Sequence, residues 1–407
     1  MMSDLIKIPQ GWSVKEIQEL GKVVTGSTPK TSEEENWIGT LPFVSPTDLT
    51  DRKYLQSTER QVNKNVINRN RIIPKNSIMY SCIASIGKMS ISSEECTTNQ
   101  QINTIIPTKE FDYNYLYYSL LYKTNYIKTL SAMTAVPIIN KGLFSKIKLT
   151  IPPLKEQQKI AAILSSVDEA IEKTEQIIDQ TEKVKKGLMQ ELFFKGIGNK
   201  DFKNTILGDI PRHWDIVQTG DLFENKSVKK HEHLEVLTVT QEQGVVFRKD
   251  FDMNIKFNQS SLPNYKKVDP GDFIISLRSF QGGLELSTYE GIVSPAYTVL
   301  QHKQNIDIEY FKYFLKSYWF IEQLKASTIG IRDGKQISYQ DFKLIKIPLP
   351  PLKEQIKMSK ILTQIDKELD FENNWQSKLV ELKKGLMQEL LTGKKRVKVD
   401  DSEEVLS

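Results

Sequence analysis

The sequence predicts an α+β protein built twice over. Two mostly-β heads are separated by two long antiparallel coiled-coil helices, and the whole carries an internal pseudo-two-fold repeat. Three observations carry this reading. Ile151-Pro-Pro-Leu-Lys-Glu-Gln157 recurs as Leu349-Pro-Pro-Leu-Lys-Glu-Gln355, and Lys185-Lys-Gly-Leu-Met-Gln-Glu-Leu192 recurs unchanged as Lys383-Lys-Gly-Leu-Met-Gln-Glu-Leu390. Both recur at an offset of 198, and without gaps 152–192 and 350–390 share 18 of 41 positions. Short β-rich runs fill the segments in front of each copy. Internal repeats are weighed before any other signal.

In chain order, residues 1–150 form the first head. Asn76-Ser-Ile-Met-Tyr-Ser-Cys-Ile83 and Asn103-Thr-Ile-Ile106 read as strands, with Pro74-Lys-Asn76 as a turn before the first. Tyr113–Leu121 reads as an aromatic amphipathic helix. Residues 151–196 form the central helix, with Pro152 and Pro153 in its first turn, where a missing N–H is tolerated. Ile160, Val167, Thr174, Thr181 and Leu188 follow one heptad track; Leu164, Ile171, Ile178 and Leu192 follow the other, interrupted by Lys185. A period of 3.5 favours supercoiled pairs, and Gly196 and Gly198 stop the helix.

Residues 197–348 form the second head, with strands at Glu235–Thr240, Asp272–Ser276 and Tyr297–Leu300 and a helix at Tyr310–Leu315. The heads echo one another faintly. Ile8-Pro-Gln-Gly-Trp12 answers Ile210-Pro-Arg-His-Trp214, and Phe111–Leu116 answers Ile306–Phe311. Residues 349–393 form the second helix, with Met358, Leu362, Ile365, Leu369, Leu379, Leu386 and Leu390 on its seam and Phe371, Trp375 and Leu382 alongside. Residues 394–407 read as a flexible tail. Each helix of about 40 residues would reach roughly 60 Å and needs a partner along its length. Connectivity makes that pair antiparallel, with a head at each end.

Composition narrows the function. The 407 residues are 39% apolar and 26% charged, which is a soluble globular balance. No apolar run is long enough to span a membrane, the N-terminus carries no secretory pattern, and two cysteines cannot build a disulfide framework. The expectation is a cytoplasmic protein without membrane partners. Residues 1–150 hold 18 Lys and Arg against 13 Asp and Glu, which equals the whole formal excess of +5. Such a surplus is compatible with a polyanionic partner.

Catalytic constellations are missing. There is no cofactor-binding glycine loop and no strip to hold a flipped adenine. Gly330-Ile-Arg-Asp-Gly-Lys-Gln336 is one residue short of a phosphate loop and ends in Gln. His231-Glu-His233 lacks a third ligand and sits beside Lys229 and Lys230. Glu381-Leu-Lys383 matches a nuclease tripeptide but lies on the heptad helix, where it reads as an ion-pair face. Cys82 and Cys96 read as core residues. The expectations are no metal site and no cofactor bound by this chain.

Binding chemistry remains. Asn63-Lys-Asn-Val-Ile-Asn-Arg-Asn-Arg71 interleaves amide and basic side chains; Arg and Lys pair with guanine edges and phosphates, Asn and Gln with adenine. The candidate DNA contacts in the first head are Lys64, Arg69, Arg71, Lys88, Asn99, Gln100 and Gln101. Those in the second head are Arg248, Lys249, Lys266, Lys267, Arg278, Arg332, Lys335 and Gln336. Lys185, Lys186, Gln190 and Glu191, with their copies Lys383, Lys384, Gln388 and Glu389, are polar residues for which helix packing has no evident use. A partner-docking surface used twice would explain their repetition.

These matched Pro-Pro-Leu-Lys-Glu-Gln…Lys-Gly-Leu-Met-Gln-Glu-Leu helices between divergent heads resemble the specificity subunit of type I restriction–modification systems. Pro9-Gln-Gly-Trp12 and Thr25-Gly-Ser-Thr-Pro29 fit that family too, the latter with no clear second copy near Leu222–Lys229. The resemblance spans nearly the whole chain. It implies two target-recognition domains on an antiparallel spacer, and a split target in double-stranded DNA. It also implies docking of two adenine-N6 methyltransferase subunits and of restriction subunits. The chain itself would have no active site, and S-adenosylmethionine would sit on the methyltransferase partner. The alternatives from residues alone are a stand-alone DNA-modifying enzyme, which needs the missing catalytic groups, and a structural coiled-coil DNA-binding scaffold, which does not need large heads.

Overall fold

The computed structural model describes residues 8–131, 137–240, 243–250, 259–276, 279–327 and 337–399. The two longest elements are the helices Leu154–Lys195 and Leu352–Leu390. Both begin after their prolines: the Pro153 carbonyl accepts from the amides of Glu156 and Gln157, and the Pro351 carbonyl from those of Glu354 and Gln355. The second proline thus stands at the N-cap rather than inside the first turn, where its fixed φ leads into the helix without losing a bond.

The chain divides into two compact units. One comprises residues 1–175 and 374–407, the other residues 176–373. Each unit joins one head to a half of each long helix. The boundaries of the units therefore fall in mid-helix.

In the first unit an antiparallel sheet runs in the order Gly21–Thr25, Ile102–Pro107, Ile78–Ser81, Met89–Ile91. A smaller sheet pairs Arg60–Val62, Leu41–Val44 and Thr97–Thr98, the last two in parallel. Ser13–Glu16 pairs with Lys148–Ile151, tying the start of the head to the residue before the prolines. The helix Tyr113–Thr129 is capped by the Asp112 carboxylate, which accepts from the Tyr115 amide at 2.8 Å. Such a cap stabilises by about 1 kcal/mol. The second unit repeats this plan: Phe223–Lys226, Thr298–His302, Phe273–Ile275 and Glu285–Leu286 form its sheet. Asp215–Gln218 pairs with Lys346–Leu349, and Asp307 caps Ile308–Phe314. The strand Phe223–Lys226 thus takes the place of Gly21–Thr25. The second head shares the first head's entrance strand although Thr-Gly-Ser-Thr-Pro is not repeated.

Each head closes over its own helix segments. Tyr115, Tyr118, Ile160 and Leu164 lie in one core with Leu390 and Leu391. Tyr310, Phe311, Phe314, Met358 and Leu362 lie in the other with Leu192 and Phe193. Every one of these is nearly or fully buried, and each large ring or aliphatic side chain contributes about 1.5–3 kcal/mol by leaving water. Cys82 and Cys96 are buried, and burial pushes both thiols up to about 12, as suits core residues.

The antiparallel sense is visible within each unit. In the first, Lys383 pairs with Asp168 at 2.6 Å and the Gln376 amide donates to Glu175 at 3.2 Å, so a step of seven up one helix is a step of seven down the other. In the second, Lys185 pairs with Asp366, and the Ile197 amide past the helix end reaches Glu354 at 3.3 Å. Heptad positions of both helices, from Ile160 to Leu192 and from Met358 to Leu390, are buried or half-buried.

Residues 394–399 are not a free tail. The Arg396 guanidinium forks onto the Glu156 carboxylate at 2.7 and 2.8 Å and donates to the Gln10 carbonyl at 3.0 Å. Val397 packs on the first core. The sequence shows only a charged, glycine-led stretch here, because the anchoring carboxylate lies 240 residues earlier.

Candidate nucleic-acid interface and helix seam

The repeated motifs are first of all interlocks between head and helix. Glu156 accepts from the Trp12 indole N–H at 3.0 Å, and Glu354 from the Trp214 indole at 2.9 Å. Gln157 accepts from the Asp112 amide at 2.9 Å and donates to the Pro152 carbonyl at 2.9 Å. Gln355 repeats both bonds with the Asp307 amide and the Pro350 carbonyl. The Glu-Gln of each Pro-Pro-Leu-Lys-Glu-Gln is therefore a socket, and the faint Trp and Asp echoes of the heads are its plugs. Burial works against the Glu354 carboxylate, but hydrogen bonds from Trp214, Asn199 and His213 hold it below the usual carboxylate range. Gly196, at φ +66°, and Gly393, at φ +71°, turn the chain out of the helices into these sockets. A Cβ on Gly196 would strike the Glu354 carboxylate, and one on Gly393 would strike Pro9.

The second interlock corrects an expectation. Packing does use Lys185 and Lys383. Asp168 accepts from the Tyr118 hydroxyl at 2.6 Å and pairs with Lys383, whose ammonium lies 5.8 Å from the Tyr118 ring. Asp366 likewise accepts from Tyr313 at 2.6 Å and pairs with Lys185, 5.4 Å from the Tyr313 ring. Identical lysines recur because identical Tyr–Asp acceptors recur. A short charge-assisted bond of this kind is about twice as strong as a neutral one. Glu191 pairs with Lys195 and Glu389 with Lys395 on the surface. Lys186, Gln190, Lys384 and Gln388 are exposed.

The first unit adds a buried lysine that the sequence reading missed. Lys53 donates to Ser165 at 2.7 Å and lies 4.8 Å from the Tyr118 ring. Burial lowers its ammonium to about 8, against the pull of Asp168. Arg52 beside it reaches Glu175 at 3.4 Å. A charged dipeptide in a loop gives no sign that a helix more than 100 positions later will receive it.

The candidate DNA contacts divide by what their side chains already hold. Lys64 pairs with Glu95, Lys249 with Glu235 at 2.9 Å, and Lys267 with Asp269 and Glu290 at 2.8 and 2.9 Å. Lys266 is half-buried and donates to the Tyr297 carbonyl at 2.5 Å. Asn99 is buried; its amide donates to Gln101 at 3.1 Å, and its own carbonyl oxygen accepts from the Gln101 backbone at 3.0 Å, so both shape a turn. Between them Gln100 is exposed and accepts from Thr28 at 2.5 Å. The Ser27 amide donates to the Thr98 carbonyl at 2.9 Å. Thr-Gly-Ser-Thr-Pro and Thr-Asn-Gln-Gln thus meet, although Thr28 and Gln100 are 72 positions apart. Arg69 and Arg71 are exposed on a single 3-10 turn, and its last carbonyl accepts from Thr97 at 3.0 Å, which joins that turn to the same region. Lys88 is exposed on a different hairpin. Arg248 is exposed to an intermediate degree and has a partner of its own. Arg278, Arg332, Lys335 and Gln336, with the near-phosphate loop Gly330–Gln336, lie outside the described residues.

The His231 and His233 rings are 5.6 Å apart, and among the described residues no group of three or more His, Cys, Asp or Glu side chains could hold a metal ion. No helix of the described residues is long and apolar enough to cross a membrane.

A duplicated head, each copy plugged into its own helix socket, defines a tandem-repeat protein, and comparison with known proteins agrees. The family described as "Type I restriction modification DNA specificity domain" matches residues 9–183 and again 211–381. The specificity subunit of the type I restriction enzyme MjaVIII from Methanocaldococcus jannaschii is 30% identical over 97% of this chain and 95% of its own length. The putative MjaX specificity subunit of the same organism is 30% identical over 97% of this chain and 96% of its length. The crystal structure of the type I S subunit from M. genitalium shares the fold at TM-score 0.56 and 17% identity, over 96% of this chain and 98% of that one. The chain belongs to the specificity subunits of type I restriction–modification systems.

Proposed function

We propose that this subunit reads a two-part sequence in double-stranded DNA, one part with each head, and carries no catalytic centre of its own. In this reading the long helices set the distance between the two half-sites and dock two adenine-N6 methyltransferase subunits, with restriction subunits joining that complex. S-adenosylmethionine is bound by the methyltransferase subunits. The single observation that carries the reading is the duplicated interlock. Glu156–Trp12 with Asp168–Tyr118–Lys383, and Glu354–Trp214 with Asp366–Tyr313–Lys185, hold two different heads in the same way. The frame is kept and the heads diverge, as expected when specificity varies and assembly does not.

Docking on the helices is supported by apolar side chains left in water. In one unit Ile177 and Val184, seven residues apart on the central helix, are 46% and 57% exposed. In the other, their copies Trp375 and Leu382 are 47% and 50% exposed. Exposed Lys186 and Gln190, or Lys384 and Gln388, continue along the same helices. A groove of about 760 Å³ lined by Met189, Gln190, Phe193, Phe194, Tyr318 and Trp319 adds an aromatic recess in the second unit.

The test is a map of methylated adenines across the genome with and without this gene. One bipartite motif should vanish on deletion and return on complementation. The purified chain should show no calorimetric binding of S-adenosylmethionine at micromolar concentration. Binding at that level, or an unchanged methylation map, contradicts the proposal.

A further inference from the structure

Resting on the proposed function, we infer that Arg69, Asn70 and Arg71 are the base-reading residues of the first head, and that Asn68 is their positioning residue.

The segment 63–71 folds as two successive 3-10 turns, Lys64–Val66 and Arg69–Arg71. Each is led by an asparagine whose side chain accepts from the backbone two residues on, Asn63 from Asn65 at 3.0 Å and Asn68 from Asn70 at 2.9 Å. Those two asparagines are thereby committed to shaping the chain. Between the turns Ile67 is buried, and after them Ile73 is buried and bonded in both directions to Cys96, at 2.8 and 2.9 Å. Thr97 donates to the Arg71 carbonyl, and the Arg71 amide donates to the Asn68 carbonyl at 2.8 Å. The backbone of the second turn is pinned from three sides.

Its side chains are not. Arginines elsewhere in the described residues are engaged: Arg52 with Glu172 and Glu175, Arg212 with Asp201, Arg396 with Glu156, and Arg60 stacked 3.6 Å from the Trp37 ring centroid. Arg248 has a partner as well. Arg69 and Arg71 are exposed and, among the described residues, have no carboxylate, carbonyl or ring within bonding reach; the Asn70 side chain is equally unengaged. The first turn differs here, because Glu95 already neutralises Lys64. Of two turns with the same build, only the second offers uncompensated charge.

A fixed backbone with free guanidinium and amide groups is the arrangement that recognition of base edges needs, since the geometry is set before binding. Arginine forks onto guanine and asparagine onto adenine in the major groove. At about 2.0 Å of rise per 3-10 residue, Arg69 and Arg71 lie roughly 4 Å apart along the turn, close to one base-pair step. Successive side chains of a 3-10 turn diverge by about 120°, so the two guanidiniums reach separate positions of the groove, and the half-site they read contains a guanine. The exposed Gln100–Thr28 pair, joined to this turn through Thr97 and Thr98, flanks it.

The experiment uses the full chain assembled with its methyltransferase subunits. Binding is measured on the duplex carrying the methylated motif, on duplexes altered at single base pairs of either half, and on an unrelated duplex. Arg69→Ala and Arg71→Ala should each weaken binding to the cognate duplex about ten- to a hundred-fold and abolish discrimination at one base pair of one half, leaving the other half as in the unaltered complex. Asn68→Ala should blur the same base pairs, and Asn68→Ser, which can still cap the turn, should restore them. Arg212→Ala, in an exposed pair of the other unit, should change nothing. Equal weakening on every duplex, with a salt slope smaller by about one, would mean phosphate contacts and overturn the assignment. Unchanged discrimination would overturn it too. If the unaltered complex prefers no sequence, the proposed function fails and the assignment falls with it.

Discussion

Duplicating one heptad in both long helices should keep both half-sites and widen the gap between them by about three base pairs. Seven residues add roughly 10.5 Å at 1.5 Å each, and a base pair rises about 3.4 Å. The antiparallel register identifies which heptads to duplicate. Asp168 opposes Lys383 and Glu175 opposes Gln376, so Glu169–Glu175 faces Gln376–Leu382. Copying both keeps the seam in phase, since seven residues preserve the heptad. Copying one alone would force one of the two ion pairs, Asp168–Lys383 or Lys185–Asp366, a full heptad out of register and strip its Tyr–Asp acceptor of its lysine. Methylation should then be lost rather than re-spaced. Methylome sequencing of the two strains reads both outcomes. An unchanged gap with methylation retained would remove the helices from the role of ruler.

Arg396→Ala, or truncation after Gly393, should destabilise the first unit by about 2–3 kcal/mol. The Glu156 carboxylate is only 3% exposed, and without the guanidinium it keeps a single bond, from Trp12, at a buried charge. Urea unfolding followed by hydrogen exchange over residues 8–20 and 148–157 is the measurement, because a chain of two units need not unfold in one step. The matching loss should be absent from residues 197–215, where Glu354 is served by Trp214, His213 and Asn199 instead. Removing the exposed pair Arg212–Asp201 should change stability by no more than about 0.5 kcal/mol. Full protection in the truncated chain would show that residues 394–399 carry no load.

The periodic parts of this fold were legible in advance because their physics is local. Heptads at Ile160, Leu164 and Val167 and their copies specify a seam wherever they occur, and Asp269-Pro-Gly-Asp272 specifies a turn: Gly271 has φ +96° and the Asp272 amide donates to the Asp269 carbonyl at 3.1 Å. What the pattern hides is the partner of a polar residue. Lys185 reads as surplus charge until Asp366 and Tyr313 are beside it. Gln157 reads as a surface amide until the Asp112 amide points at it. The same holds for binding. Asparagine and lysine in 63–71 look alike as letters, but Asn63 and Asn68 cap turns and Lys64 is paired, which leaves Asn65 on the first turn and Arg69, Asn70 and Arg71 on the second, where alone the charge is uncompensated. In the second head Lys249, Lys266 and Lys267 likewise have partners among the described residues.

The central claim is that the two heads read DNA separately on a shared frame. Its most direct measurement is methylome sequencing after exchanging residues 1–150 for the same block of a related subunit. The exchange should retain Trp12, Asp112 and Tyr118, which bond to Glu156, Gln157 and Asp168 of the helix that stays. The new motif should differ in one half, while the other half and the gap between them remain. A motif altered in both halves, or a gap altered with the head, would contradict it.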